Sequence, residues 1–124
     1  MIAWLYAVVG SNRLELARTF YDALLSSAGI EPLLDHPSGG RYYGKNGIIF
    51  FGVLGPHDGR PATVGNGSMV SLCFDSCADV DAFHKKALEL GGKNEGAPGY
   101  RAATYYMSYF RDLDGNKVCA TCIG

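Results

Sequence analysis

The segment "TFYDALLSSAG" (Thr19–Gly29) can be laid over "AFHKKALELGG" (Ala82–Gly92), and this internal repeat is the strongest indication of the fold. Equivalent residues are 63 positions apart, as Phe20 and Phe83 are. In each copy the apolar residues recur at helical spacing and glycine follows the last of them, which is typical of a helix that ends at that point. The repeat therefore predicts two copies of one structural module.

One strand candidate precedes each predicted helix, and three follow it. "IAWLYAVV" (Ile2–Val9) is apolar throughout and predicts a buried strand, and "SMVSLCF" (Ser68–Phe74) predicts its counterpart. Asn12 with Glu15, and Ser76 with Asp79, are capping-box-like starts for the two helices. This order predicts an α+β fold in which two βαβββ modules form an open, eight-stranded, barrel-like sheet with the helices outside.

The module boundaries follow from the loss of periodicity in the middle of the chain. "GPHDGRPATVGNG" (residues 55–67) has no periodic apolar pattern and predicts a linker at about residues 56–66. The 124 residues are therefore interpreted as a single domain, 1–124, with one module at about 1–55 and the other at about 67–124. "GAPGYRAATYY" (residues 96–106) predicts a loop, with Arg101 as its one cation. We expect this loop at the rim of a cavity between the two modules.

Two short motifs predict hairpins. "YFRDLDGNKVCATC" (residues 109–122) contains an Asp-Gly-Asn turn between two apolar segments. Because side chains alternate along a strand, Cys119 and Thr121 share one face, which we predict to be the face away from the helix. "GGRYYGKN" (residues 39–46) nearly matches a phosphate-binding loop, but it lacks the final Ser or Thr and a following helix, so it too predicts a hairpin.

Composition excludes several classes of partner. The formal net charge is -1 and no basic patch stands out, which argues against nucleic acid and anionic membranes as partners. No apolar segment approaches the roughly 20 residues that span a bilayer, and we expect no secretory leader. The even count of four cysteines could indicate disulfides, but without a leader we expect free thiols and a cytoplasmic location.

The chain resembles the vicinal oxygen chelate superfamily, which includes glyoxalase I, bleomycin-resistance proteins, fosfomycin-resistance enzymes and extradiol dioxygenases. The resemblance is carried by "LARTFYDALL" (residues 16–25), "DVDAFHKKALELGG" (residues 79–92) and the hairpin at residues 109–122, in which Leu113 replaces a usual proline. It implies a homodimer and, in metal-bearing relatives, metal ligands on the first, fifth and last strands, often with a further ligand on the fourth.

The positions that correspond to those ligands hold residues of another kind. They are Tyr6 (or Trp4, if the strand is shifted), Met69, Cys119 and either Phe50 or Phe51. Divalent ions in this family are held by His, Glu, Gln or Asp side chains, so this set does not predict a metal site. We expect no cofactor, and Zn, Fe, Mn or Ni only if other residues have taken over as ligands.

Three functions remain open at this stage. The first is a metal-free protein that binds a small molecule in the cavity between the modules, with Tyr6, Phe51, Met69, Arg101 and Cys119 as ligand-binding residues. The second is a lyase- or dioxygenase-like enzyme that uses displaced metal ligands, such as His36, Asp35 and His57, or uses Cys119 as a nucleophile. The third is a structural subunit whose barrel is filled by side chains. No catalytic residue is assigned.

Overall fold

The computed structural model describes residues 1–123, and the chain forms two compact units. The first spans Met1–Val64 and the second begins at Gly65. Each unit contains one helix and one four-stranded mixed sheet, in the order strand, helix, three strands. The prediction of an α+β fold built from two βαβββ modules is confirmed.

The first unit has the sheet order β1-β4-β3-β2. β1 (Ala7–Gly10) runs parallel to β4 (Ile48–Leu54), and β3 (Arg41–Lys45) is antiparallel to both β4 and β2 (Glu31–Asp35). The helix α1 (Leu14–Ser27) covers one face of this sheet.

Aromatic side chains fill the space between α1 and its sheet. The Tyr21 ring lies 4.8 Å from Phe51 and 6.5 Å from Tyr43, and all three side chains are almost completely buried. The Tyr43 hydroxyl donates a 2.7 Å hydrogen bond to Asp22 on α1, which satisfies the one polar atom that burial of the phenol would otherwise isolate. The core of the first unit therefore lies on the α1 side of its sheet.

The first strand is shorter and more exposed than its sequence predicts. We expected a buried strand at residues 2–9, but β1 begins at Ala7 and only Val9 in that range is buried. A continuous apolar run does not reveal how much of it pairs, and here β1 pairs with only four residues of β4. The prediction of burial was wrong for five large apolar side chains, Ile2, Trp4, Leu5, Tyr6 and Val8.

The second unit has the sheet order β5-β8-β7-β6. It consists of β5 (Val70–Cys73), α2 (Cys77–Glu89), β6 (Lys93–Arg101), β7 (Tyr105–Arg111) and β8 (Lys117–Ile123). As in the first unit, the first and last strands of the module are parallel neighbours and the remaining pairs are antiparallel.

β6 corrects the prediction of a long loop at residues 96–106. The strand extends to Arg101, and only residues 102–104 form a turn before β7. Its pairing with β7 is interrupted by register shifts between Asn94 and Gly96 and between Gly96 and Gly99. Glycine and proline removed the alternation that would have identified this strand, because bulges break the period of two.

Both predicted hairpins are present. In the turn after β7, the Asp112 carboxylate accepts 2.9 Å hydrogen bonds from the backbone N–H groups of Asp114 and Asn116. In the turn between β3 and β4, Asn46 and Gly47 have φ values of 54° and 77°, the left-handed conformation that a two-residue hairpin turn requires. The motif at residues 39–46 is therefore a hairpin and not a phosphate-binding loop.

The two helix starts differ. The Ser76 hydroxyl accepts a 3.1 Å hydrogen bond from the Asp79 N–H, which confirms the predicted cap of α2. The predicted cap of α1 was wrong, because Arg13 occupies the N-cap position and makes no side-chain cap. Asn12 instead exchanges two hydrogen bonds, of 2.6 and 2.9 Å, with the backbone of Ala62. Both helices end as predicted, with Gly29 and Gly91 in the left-handed conformation.

Within residues 1–123, neither helix is both long and apolar enough to cross a membrane.

Candidate ligand-binding site

Alternation along β7 and β8 gives the second sheet two chemically different faces. Phe110 and Val118 are paired in register, and the Phe110 ring packs 6.0 Å from Phe83 of α2. The neighbouring pair, Tyr109 and Cys119, must then point away from α2. We call this side the helix-free face of the second sheet; it carries Ser71, Tyr109, Lys117, Cys119 and Thr121. The predicted orientation of Cys119 and Thr121 is confirmed.

A row of small polar side chains crosses this face. The Cys119 sulfur lies 3.2 Å from the Thr121 hydroxyl, which lies 3.0 Å from the Ser71 hydroxyl. Cys119 is fully buried, and its second contact is the Ala120 carbonyl at 3.7 Å. A hydroxyl and a carbonyl supply neither a base nor a cation, so these contacts do not activate the thiol as a nucleophile.

A cationic cluster surrounds the Tyr109 ring on the same face. The Lys117 ammonium lies 5.0 Å from the ring centroid, and the Arg101 guanidinium carbon lies 5.6 Å from it. Arg111 forms a 2.7 Å ion pair with Glu95, whose carboxylate is also 4.0 Å from Lys117. Three cations and one carboxylate thus lie close together, and this surface attracts anions.

The bulged strand β6 holds Arg101 in place. Its guanidinium donates hydrogen bonds to the carbonyls of Ala97 and Gly99, both at 2.8 Å, and to Met107 at 3.2 Å. A Cβ at Gly96 would come within 2.8 Å of the Tyr109 ring and 3.3 Å of the guanidinium, so glycine leaves the room that these groups occupy. Carbonyl partners orient the guanidinium without cancelling its charge.

Met69 and Tyr6 lie in different units. Met69 immediately precedes β5, two residues before Ser71, and is 44% exposed. Tyr6 immediately precedes β1 and is 57% exposed, with its ring 6.0 Å from that of Tyr42. The Tyr42 ring lies a further 5.9 Å from His36, so three rings form an aromatic row in the first unit.

Phe51 does not share that row. Its side chain is 1% exposed and packs against Tyr21 of α1. This placement does not fit the predicted role of Phe51 in a cavity wall. A choice between adjacent strand residues is a choice between faces, and the sequence alone left that choice open.

The first unit contains a cavity of about 610 Å³, a volume typical of small-molecule sites. It lies where β1 and β4 end, next to the segment that follows β4. His36, His57 and Asp58 are its titratable lining residues. The His36 Nδ1 accepts a 3.1 Å hydrogen bond from the Ser38 N–H, so the neutral ring carries its proton on Nε2.

The candidate metal sites do not assemble from these residues. Asp35, one member of the alternative set with His36 and His57, is ion-paired with Arg41 at 2.7 Å and does not line the cavity. Cys119 faces away from α2 and Cys122 faces towards it, so these two thiols do not converge on one metal ion. Among residues 1–123, no group of three or more His, Cys, Asp or Glu side chains could hold a metal ion.

The residue types at the predicted ligand positions agree with this. Tyr6, Met69 and Cys119 offer a phenol, a thioether and a thiol, which are unlike the carboxylate, amide and imidazole donors that a hard divalent ion prefers. The chain's own residues therefore do not fit the family's metal.

Sequence reasoning missed Tyr109 and Lys117. Both belong to the hairpin that identified Cys119, and counting by twos from Cys119 would have placed Lys117 on its face. Tyr109 required the register between β7 and β8, which no local pattern supplies.

Comparisons with known proteins agree with the fold. A family model described as the Glyoxalase/Bleomycin resistance protein/Dioxygenase superfamily matches residues 6–120. The structure is similar to that of a glyoxalase/bleomycin resistance protein from Albidiferax ferrireducens T118, with 39% sequence identity, a TM-score of 0.88, and coverage of 99% of this chain and 100% of that one.

Two more distant structures share the fold. A hypothetical protein from S. aureus has 22% identity and a TM-score of 0.74, with 98% of this chain and 94% of that one covered. A lactoylglutathione lyase from Agrobacterium tumefaciens has 20% identity and a TM-score of 0.67, with the same coverage of 98% and 94%. A search of curated proteins found no match.

Proposed function

Because the chain belongs to the glyoxalase/bleomycin resistance protein/dioxygenase superfamily, we propose that it binds a small organic anion, without a divalent metal held by its own residues. The site is the helix-free face of the second sheet. The observation that carries this proposal is the Tyr109 ring with Arg101 and Lys117 within 5.6 and 5.0 Å of its centroid.

The chemistry of this surface favours a ligand that is both flat and negatively charged. An aromatic ring offers a surface for stacking, and a guanidinium offers paired donors to a carboxylate, phosphate or sulfonate. Arg101 uses its contacts to three carbonyls to stay in place and keeps its positive charge. The hydroxyls of Ser71 and Thr121 add neutral donors and acceptors near the buried Cys119.

The proposal has three further parts. The family's ligand positions, Tyr6, Met69 and Cys119, do not act as metal donors, as their residue types suggest. The chain forms a homodimer, which the same resemblance implies. The protein works in a reducing, cytoplasmic environment, a location with which four unpaired cysteines are consistent.

A pair of matched probes tests the preference for anions. We expect 2-naphthoate, which carries a carboxylate, to bind at least about tenfold more tightly than the uncharged 2-naphthamide in fluorescence titrations at low salt. The Lys117→Met variant should lose about half of that preference in free energy, and the Arg101→Met/Lys117→Met variant nearly all of it. Both should leave the affinity for the amide almost unchanged.

Arg60→Met is the matched control, because Arg60 is an exposed loop residue of the first unit. It removes one positive charge from the chain and should not alter the binding of either probe. The single Lys117 variant keeps the test valid if loss of the Arg101 contacts unfolds the protein. Equal affinities for the two probes, or an equal loss of 2-naphthoate affinity in the Arg60 variant, would overturn the proposal.

A further inference from the structure

Two of the four thiols lie near each other on the α2 side of the second sheet. Cys77 is the first residue of α2, and Cys122 lies on β8. Tyr100, Tyr106 and Cys122 are register partners across β6, β7 and β8, so they form one row beneath the start of the helix. The Cys77 sulfur is 3.8 Å from the Tyr100 hydroxyl.

The contacts of Tyr106 fix the helix above this row. Its hydroxyl donates a 2.6 Å hydrogen bond to Asp81, one turn into α2 from Cys77. Its ring lies 5.1 Å from the ring of Tyr100. Cys77 is thus held over the row whose last member is Cys122, and the two thiols are neighbours.

The two thiols differ in their access to solvent. Cys77 is half-buried, whereas Cys122 is 5% exposed. Burial, together with the neighbouring Cys77 thiol, raises the pKa of Cys122. Of these two thiols, Cys77 is therefore the more accessible to a small oxidant. Cys122 is less accessible and is present as a protonated thiol.

The remaining cysteines cannot replace either member of this pair without a rearrangement of the sheet. Cys119 is on the helix-free face, and so is Cys73, which pairs in register with Thr121. Both point away from the start of α2, because residues that are paired on adjacent strands point to the same face of the sheet.

We propose that Cys77 and Cys122 form an oxidation-sensitive dithiol that closes into an intramolecular disulfide when it meets a hydroperoxide. The Cys77 thiolate attacks the peroxide, breaks its O–O bond and becomes a sulfenic acid, with release of water or an alcohol. The Cys122 sulfur then attacks Cys77, the sulfenic oxygen leaves as water, and an S–S bond forms. Overall, two thiols are oxidised by two electrons and one peroxide is reduced.

The bond would link residues 45 positions apart and would fasten the start of α2 to the last strand. Such a link restricts the unfolded chain, so we expect the oxidised protein to have a higher Tm than the reduced protein. This inference is independent of the proposed anion site, because the pair lies on the opposite face of the sheet.

Mass spectrometry of a simplified variant tests the pair. Cleavage after Lys and Arg places Cys73 and Cys77 on one peptide and Cys119 and Cys122 on another, so a map of the natural chain cannot separate the pairings. In the Cys73→Ser/Cys119→Ser variant only the proposed pair remains. After treatment with equimolar hydrogen peroxide, we expect a monomer that has lost two hydrogens, resists alkylation, and regains two alkylation sites on reduction.

The complementary Cys77→Ser/Cys122→Ser variant is the control, and it should keep two alkylatable or separately oxidised thiols under the same treatment. Folding of both variants is checked by circular dichroism. If the Cys73→Ser/Cys119→Ser variant does not fold, Cys73→Ser and Cys73→Ser/Cys122→Ser replace it. The disulfide should then form in the first of these variants and be absent from the second. Two thiols that stay alkylatable, a sulfenic or sulfinic acid without a disulfide, or a disulfide between two chains would each overturn the proposal.

Discussion

His84 is a buried imidazole with no hydrogen-bond partner for either ring nitrogen in the part of the chain that the structure describes. It is 4% exposed on α2 and packs 6.4 Å from the Phe110 ring. Burial lowers its pKa, and this effect is only partly opposed by the nearby Asn94 and Asp81 side chains.

This burial predicts a pH-dependent stability. Because the pKa of His84 is lower in the folded than in the unfolded chain, protonation favours unfolding. The free energy of unfolding should therefore be unaffected by His84 above about pH 6.5 and should fall as the pH drops below it, with a slope of at most about 1.4 kcal/mol per pH unit from this residue. Urea denaturation at a series of pH values between 5 and 8 measures this slope.

A His84→Phe variant removes the titrating group and should make the curve flatter in that range. His57→Phe is the matched control, since His57 is an exposed loop residue. A slope that persists in His84→Phe but disappears in His57→Phe would contradict this assignment.

The sheet face of a single residue was predictable where a turn fixed the residue at which the strand begins. The turn at Gly115 fixes the start of β8, and from it Cys119 and Thr121 could be assigned to the correct face. Phe51 could not be assigned in this way, because Phe50 and Phe51 are equally apolar and a shift of one position reverses the face.

At the scale of the elements, the two helices begin by different means although their sequences suggest the same one. The Ser76 hydroxyl binds within its own helix, to the Asp79 N–H. Asn12 binds Ala62, 50 residues along the chain, and so ties the segment after β4 to the end of β1. A capping pattern in the sequence states which side chains are able to cap, but tertiary partners compete for the same atoms.

This difference predicts contrasting effects of two alanine substitutions. Ser76→Ala should destabilise α2 by about 1 kcal/mol and accelerate hydrogen exchange of the amides in its first turn. Asn12→Ala should instead accelerate exchange at the Ala62 amide, whose hydrogen-bond acceptor is lost. Amide exchange followed by NMR measures both.

Each variant serves as the control for the other. Faster exchange in the first turn of α1 on substitution of Asn12, with Ala62 unaffected, would restore the capping interpretation and contradict the structure.

The strands show the same limit of local reasoning. β3, β4, β7 and β8 were predicted because hairpin turns bound them, whereas residues 96–101 of β6 were predicted as part of a loop. The missing part contains the bulges that let Arg101 reach back to the carbonyls of Ala97 and Gly99. The irregularity that concealed the strand is therefore also what positions a residue of the proposed site.

For the whole molecule, the repeat was the most informative feature of the sequence. The first residues of β1 and β5, Ala7 and Val70, are 63 positions apart, and so are the first residues of α1 and α2, Leu14 and Cys77. The spacing grows later in the chain, where β4 begins at Ile48 and β8 at Lys117. The repeat indicated the order of the elements, because each copy packs one helix against one face of a four-stranded sheet.

The cationic cluster could not be predicted from the sequence. It joins Arg101 of β6, Tyr109 of β7 and Lys117 of β8, and the register between strands is a tertiary property. What the sequence did indicate was the loss of metal-binding residue types, since that needed only the identities of Tyr6, Met69 and Cys119. The cavity of the first unit was not anticipated.

We propose that the protein acts without a metal bound by its own residues. Elemental analysis of untagged protein, purified after growth in metal-replete medium, tests this proposal. We expect amounts of Zn, Fe, Mn, Ni and Co far below one atom per chain. A stoichiometric amount of any one of them, retained through dialysis against buffer without chelator, would contradict it and would favour an enzyme with displaced ligands.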